Sequence, residues 1–179
     1  MWDDEYSRAL RASSRISIRR DTAPAGAAAL AAGERTDTDT MTDVERMMIQ
    51  DEGERLTLYQ DTQLKWSIGI GHNLTDKPIS PAASRQIFAD DLADAIDDVN
   101  HCCSVYDELS RPRQLVMINL AFNLGRVRLG QFVRFLGAIH RGDWNDAADE
   151  ILNSDAARQL PLRYGRLAAM MREDISRWV

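Results

Sequence analysis

The apolar positions of this chain change period several times, and each change predicts an element. Thr42-Asp43-Val44-Glu45 fits a capping box, and Val44, Met47 and Met48 then fall on one side of a helix that should stop near Gly53. Leu56-Thr57-Leu58-Tyr59 alternates as a short strand, and Lys65–Ile70 reads as a second. The linking Gln60–Leu64 is short enough for a hairpin. From Ser80-Pro81, an N-cap followed by proline at the first helical position, the spacing turns helical, with Ile87, Phe88, Leu92, Ala95, Ile96 and Val99 as its stripe. Further helices are expected over Pro112–Asn123, Gly130–His140, Asp143–Asn153 and Pro161–Trp178, each bounded by Pro, Gly, Asp or Asn. The class is α+β: mostly α with one small antiparallel sheet.

Residues 1–43 do not share this order. They mix both charges, then run through small and polar residues with Thr and Asp alternating, so a flexible or docking tail over 1–41 is expected ahead of a folded domain over 42–179. The chain opens Met1-Trp2-Asp3-Asp4-Glu5, the wrong charge for a secretory signal, and Ala25–Gly33 is too short to span a bilayer. The expectation is a chain without export signal or membrane anchor. With 44% hydrophobic and 28% charged residues over 179, the composition is that of a globular protein. A net charge of −6 argues against a general nucleic-acid binder. The charge is uneven: residues 44–110 hold 13 acids and 5 bases, and residues 111–179 hold 7 acids and 11 bases. That asymmetry is compatible with two lobes around a cleft. Cys102 and Cys103 are adjacent, so no structural disulfide is expected between them.

Chemistry concentrates between Gln50 and His72. Glu52 falls at the end of the first helix and Asp61 in the hairpin. Two carboxyls on elements that fold back together can act as acid and base across a substrate, as glycoside hydrolysis requires. Ser67, across the hairpin, could hold a water against Asp61. Spacing alone is also compatible with solvated surface acids. His101 beside the cysteines lacks enough further ligands for zinc, and no metal or other cofactor is expected. His140 reads as a helix C-terminal cap. Trp66, Trp144 and Trp178 read mainly as core, with Trp66 the best candidate to stack on a sugar because its strand lies beside the presumed site.

Taken together, Asp51-Glu52-Gly53, Tyr59-Gln60-Asp61-Thr62 and Ser67-Ile68-Gly69-Ile70-Gly71-His72 resemble the active-site signature of phage-type lysozymes, the T-even endolysin family. That signature is a Glu, eight residues, an Asp, five residues and a Thr, and Glu52, Asp61 and Ser67 stand at those places. Ile79–Val99 resembles the family's long interlobe helix and its lead-in, and Phe122-Asn123-Leu124-Gly125 its aromatic–x–x–Gly helix end. Gly130-x-Phe132, Gly142-Asp143-Trp144 and Pro161–Arg166 also find counterparts, so the likeness covers about residues 43–179.

The resemblance implies a two-lobed lysozyme-like fold in which a small hairpin lobe and a helical lobe are joined by a long helix. It implies a muramidase that cleaves the β-1,4 bond between N-acetylmuramic acid and N-acetylglucosamine with inversion. Glu52 would be the general acid, and Asp61 with Ser67 would position water. Arg163 would pair with Glu52, and His72 with Asp91 as a structural ion pair; Trp66, Phe122 and Asn123 would bind substrate or support the site. The partner would be bacterial peptidoglycan, met by a monomer, either as an endolysin held in the host cytoplasm until a holin releases it or as a virion-borne module docked through residues 1–43. The alternatives are a lytic transglycosylase and a weakly catalytic wall-binding or structural virion component. Ser67 departs from the family's Thr, keeping the hydroxyl but losing the methyl that restricts χ1. Only Asn73–Ile79 joins the sheet to the long helix, a shorter connection than in better-known members. The net negative charge also departs from the basic balance of the best-known lysozymes.

Overall fold

Reciprocal bonds start the first helix. The backbone N–H of Thr42 donates to Glu45 Oε2 at 2.6 Å, and the N–H of Glu45 donates to Thr42 Oγ1 at 3.2 Å, closing the capping box. The computed structural model that carries this helix describes residues 42–176. Helix α1 runs Asp43–Glu52 and ends on Gly53, whose φ of +69° lets its N–H turn back to the Ile49 carbonyl at 2.8 Å. Val44, Met47 and Met48 are exposed, and α1 buries no residue.

The chain divides into two compact units, Met1–Met47 and Met48–Val179. The expected tail over 1–41, the docking role given to residues 1–43 except at Thr42 and Asp43, and the side chain of Trp178 fall on residues outside those described.

Strands β1 (Arg55–Gln60), β2 (Trp66–Gly69) and β3 (His72–Asn73) form an antiparallel sheet in that order. Tyr59 stands opposite Ser67, and Ser67 opposite Asn73, while β1 carries an irregularity between Arg55 and Tyr59. The hairpin is as expected. The third strand is an addition, since two residues are too few to show an alternation.

Helix α2 (Pro81–Cys102) begins as its sequence dictates: Ser80 Oγ accepts the Ala83 N–H at 3.1 Å and Pro81 fills the first turn. Only the later part of its stripe is used. Ala95 and Val99 are buried and Leu92 and Ile96 pack against the core, whereas Ile87 and Phe88 are exposed.

Helix α3 (Arg111–Gln131) starts near the expected place but runs further, through a break at Gly125 (φ 72°, ψ 166°). Gly125 thus ends the first segment, as the aromatic–x–x–Gly pattern implies, and the chain restarts at once. Gly130 belongs to the last turn of α3, so α4 begins at Val133 and not at Gly130, ending at Arg141. Helix α5 (Trp144–Leu152) is capped by Asp143, and a short α6 (Asp155–Gln159), capped by Ser154, went unread because five residues show no periodicity. Helix α7 (Pro161–Glu173) stops five residues before the expected Trp178, because Asp174 turns left-handed (φ 59°) and its N–H closes on the Met170 carbonyl at 3.0 Å.

The core lies wholly between Ala95 and Met171 among the described residues, with Val116, Met117, Leu120, Phe135, Ile151 and Tyr164 fully buried. Each such side chain contributes about 1.5–3 kcal/mol of burial. Helices α2 and α3, and α5 and α7, make the broadest contacts. The architecture is the expected α+β: helices in the majority and one small antiparallel sheet. The sheet supplies no residue to that core, and Ser67 is its one buried residue, which leaves its other side chains available for a site.

Candidate functional site

Asp61 opens the hairpin loop and is held by it. Its Oδ1 accepts the backbone N–H groups of Gln63 at 2.8 Å and Lys65 at 3.0 Å, while its own N–H donates to the Lys65 carbonyl at 3.0 Å. Asp is favoured in such a turn because its short carboxylate replaces a backbone acceptor. The other carboxylate oxygen takes none of these bonds and remains for a water or a ligand. Leu64, in the same loop, is held at φ +61°.

A second set of bonds ties the loop to the segment after the sheet. Lys65 Nζ pairs with Asp76, which also accepts from Asn73 Nδ2 at 3.0 Å. The Trp66 N–H donates to Thr75 Oγ1 at 2.9 Å. The Lys65 ammonium holds the Asp76 carboxyl below its usual value, and Asp76 in turn pushes the Lys65 ammonium up.

Ser67 sits between Tyr59 and Asn73 on the central strand and is the one buried polar residue among those described, at 3% exposure. Its hydroxyl is not among the fully buried side-chain polar atoms that lack a partner, so the burial falls on the residue as a whole. Its neighbour Trp66 points the other way by strand alternation and is 47% exposed.

Glu52 ends α1, where local rules favour a cation. Its side chain lies along Gly71: a Cβ built there would stand 3.0 Å from Glu52 Oε2, 3.3 Å from Cδ and 3.5 Å from Cγ. Gly71 joins β2 to β3. The acid from the helix end thus lies against the β2–β3 turn, while Asp61 opens the loop at the other end of β2.

Two contacts implied by the resemblance do not form. Arg163 does not reach Glu52: its Nε donates to Asn119 Oδ1 at 2.9 Å, and Nη2 to the Asn119 carbonyl at 3.4 Å, so α3 holds it. His72 makes no ion pair with Asp91. Its Nε2 is buried without a hydrogen-bond partner, and the residue lines a groove of about 860 Å³ with Leu56, Ile70, Ala83 and Ile87. Asp91 lies one turn beyond Ile87 on α2 and lines a separate cleft of about 340 Å³ with Asp94, Asp98, Phe122 and Gly125.

Phe122, whose ring lies 5.8 Å from that of Phe88, thus lines a cleft that includes none of Glu52, Asp61 or Ser67. Asn123 accepts the Tyr164 hydroxyl at 2.7 Å and serves packing. Asn119, which seats Arg163, escaped the sequence because its partner is 44 residues away.

The other readings resolve locally. His140 Nδ1 contacts the Leu136 carbonyl at 2.8 Å near the end of α4, and its Nε2 contacts Ser104 Oγ at 3.1 Å. Trp144 is half-buried under the Arg113 guanidinium, 3.9 Å from the ring centroid. Cys102 and Cys103 are both free, and burial pushes both thiols up. Among the described residues no three His, Cys, Asp or Glu side chains group as metal ligands, and no helix is long and apolar enough to cross a membrane.

The family described as phage lysozyme matches residues 49–166 of the chain, a span that includes every residue of this site. The chain is 27% identical over 153 residues to "Probable T4-type lysozyme 2" of Dictyostelium discoideum, covering 69% of this chain and 90% of that protein. It is also 27% identical over 157 residues to "Probable T4-type lysozyme 1" of the same organism, covering 72% and 92%. A third similarity, 29% over 140 residues, is to the "Pre-baseplate central spike protein Gp5" of Enterobacteria phage T4, covering 63% of this chain and 24% of that protein.

Proposed function

Because the chain belongs to the phage lysozyme family, we propose that it is a peptidoglycan hydrolase that cleaves the β-1,4 bond between N-acetylmuramic acid and N-acetylglucosamine with inversion. Glu52 protonates the glycosidic oxygen as it leaves. Asp61, fixed through one carboxylate oxygen, presents the other to the attacking water, and the Ser67 hydroxyl is that water's second partner. Inversion asks for a separation of the two carboxyls that admits this water. Trp66 offers an exposed ring for a sugar face beside the reacting bond.

The observation that carries this reading is the seat of Glu52 on Gly71, which puts the helix-end acid against the turn of the same small sheet that carries Ser67 on its central strand and Asp61 in its hairpin loop. The similarity to a baseplate spike protein supports extending the proposal to a virion-associated role, beside that of a free lysis protein.

The test is product analysis on purified peptidoglycan, wild type beside Glu52→Gln, with borohydride reduction before mass spectrometry. Reducible muramic acid ends from wild type, and none from the variant, are expected. Anhydro ends would replace the hydrolase by a transglycosylase, and no release from either protein would leave a binding module.

A further inference from the structure

We propose that Gly71 is a positioning residue for Glu52: the missing side chain of Gly71 is the space in which the acid's carboxyl rests. This rests on the reading of Glu52 as the general acid and adds the residue that sets its place.

Three glycines around the site have positive φ: Gly53 at +69°, Gly69 at +65° and Gly71 at +66°. Backbone conformation alone accounts for glycine at each, since a side chain in this region is strained. Space separates them. A Cβ at Gly53 or Gly69 would meet nothing within 4 Å, whereas a Cβ at Gly71 would meet Glu52 Oε2 at 3.0 Å, inside normal contact, with Cδ and Cγ close behind. Gly71 is therefore under a second constraint that Gly69 lacks.

The object it would strike is the flexible end of a side chain, so the fold can yield by letting the carboxyl swing away. The penalty then falls on placement rather than on stability. Among the described residues no hydrogen bond or ion pair anchors the Glu52 carboxylate, because Arg163 is engaged by Asn119. The side of Gly71 where a Cβ would stand is thus the surface against which the carboxyl lies. A general acid must lie within hydrogen-bonding reach of the oxygen it protonates, and the few tenths of an ångström by which the carboxyl must give way are a fraction of the roughly 1 Å that can cost on the order of 100-fold in rate.

Gly69 supplies an internal control with the same backbone strain and no contact to the acid. The experiment compares Gly71→Ala, Gly71→Asn and Gly69→Ala with wild type and Glu52→Gln, reading kcat, KM and Tm on soluble, uncross-linked peptidoglycan strands. Asn tolerates left-handed backbone better than Ala, so it keeps the test alive if the alanine variant folds poorly. The expected result is a similar fall in Tm for Gly71→Ala and Gly69→Ala. Both Gly71 variants should lose about tenfold or more in kcat with KM within about twofold, while Gly69→Ala stays within about twofold in kcat. Equal kcat losses at positions 69 and 71, or wild-type kcat in the Gly71 variants, would overturn the proposal while an inactive Glu52→Gln leaves the acid assignment standing. A fully active Glu52→Gln would overturn both.

Discussion

Arg163 and Asn119 are joined twice, the guanidinium Nε donating to the amide oxygen at 2.9 Å and Nη2 to the carbonyl of the same residue at 3.4 Å. One turn further along α3, Asn123 accepts the hydroxyl of the neighbouring Tyr164 at 2.7 Å. Two asparagines spaced as a helical i, i+4 pair thus receive two consecutive side chains of α7. Burial pushes the Tyr164 hydroxyl up, so it stays a donor to that amide.

Truncating Asn119 to Ala removes both the side-chain acceptor and its share of a charge-assisted bond, half-buried at both ends. We expect Asn119→Ala to lower unfolding stability by about 1–2 kcal/mol in urea or guanidinium titrations. Unchanged stability would mean that the pair does not persist in solution.

Residue 67 is buried on the central strand, where a β-branched residue suits the backbone. Threonine restores the methyl that restricts χ1, so Ser67→Thr should equal or exceed wild type in kcat, and Ser67→Ala should lose about tenfold or more. A threonine variant slower than wild type would sink the argument that serine holds water less firmly.

What the sequence made legible was local, or was anchored by chemistry. Thr42 with Glu45 and Ser80 with Ala83 bond within three residues of one another, so their caps could be read directly, and the hairpin came from two short strands around a turn residue. The break at Gly125 was visible as a glycine, but not the immediate restart of the helix at Arg126, because a glycine marks a bend and carries no signal for the element after it. Helix α6, at five residues, and strand β3, at two, are too short for a period to repeat. At the site, Glu52, Asp61 and Ser67 stand out by type and spacing. The partner of Arg163 and the surroundings of His72 were not legible, because they depend on how α3, α7 and the start of α2 are placed, which no local signal encodes. Gly71 was visible only as one glycine among several until a side chain's worth of space was measured against Glu52.

Leu64 is strained without recompense. Its φ is +61°, and its side chain is 75% exposed, so little packing offsets the backbone cost. Left-handed backbone costs a side-chain-bearing residue about 1–2 kcal/mol, part of which returns as the greater chain entropy of unfolded glycine. Leu64→Gly should therefore raise stability by about 0.5–1 kcal/mol, read as a Tm increase of about 2–4 °C. A fall in Tm would show that Leu64 makes contacts in solution that repay its conformation.

The Lys65–Asp76 pair ties the loop that carries Asp61 to the segment leading into α2, and its response to pH has a definite sign. The hydrogen bond from Lys65, reinforced by its charge, holds the Asp76 carboxyl below its ordinary 3.8. A carboxyl lowered on folding stabilises the fold above its unfolded value, and that contribution is lost as pH falls through the lower folded value. Both side chains are open to water, so the effect is small and salt-sensitive. Titration of the Asp76 carboxyl carbon by NMR should give a midpoint below 3.8 in the native protein, and Lys65→Met should move it back towards that value. If the midpoint is the same in both proteins, Lys65 is not what holds the charge, and the loop bearing Asp61 must owe its position to the backbone bonds at Gln63 and Lys65 alone.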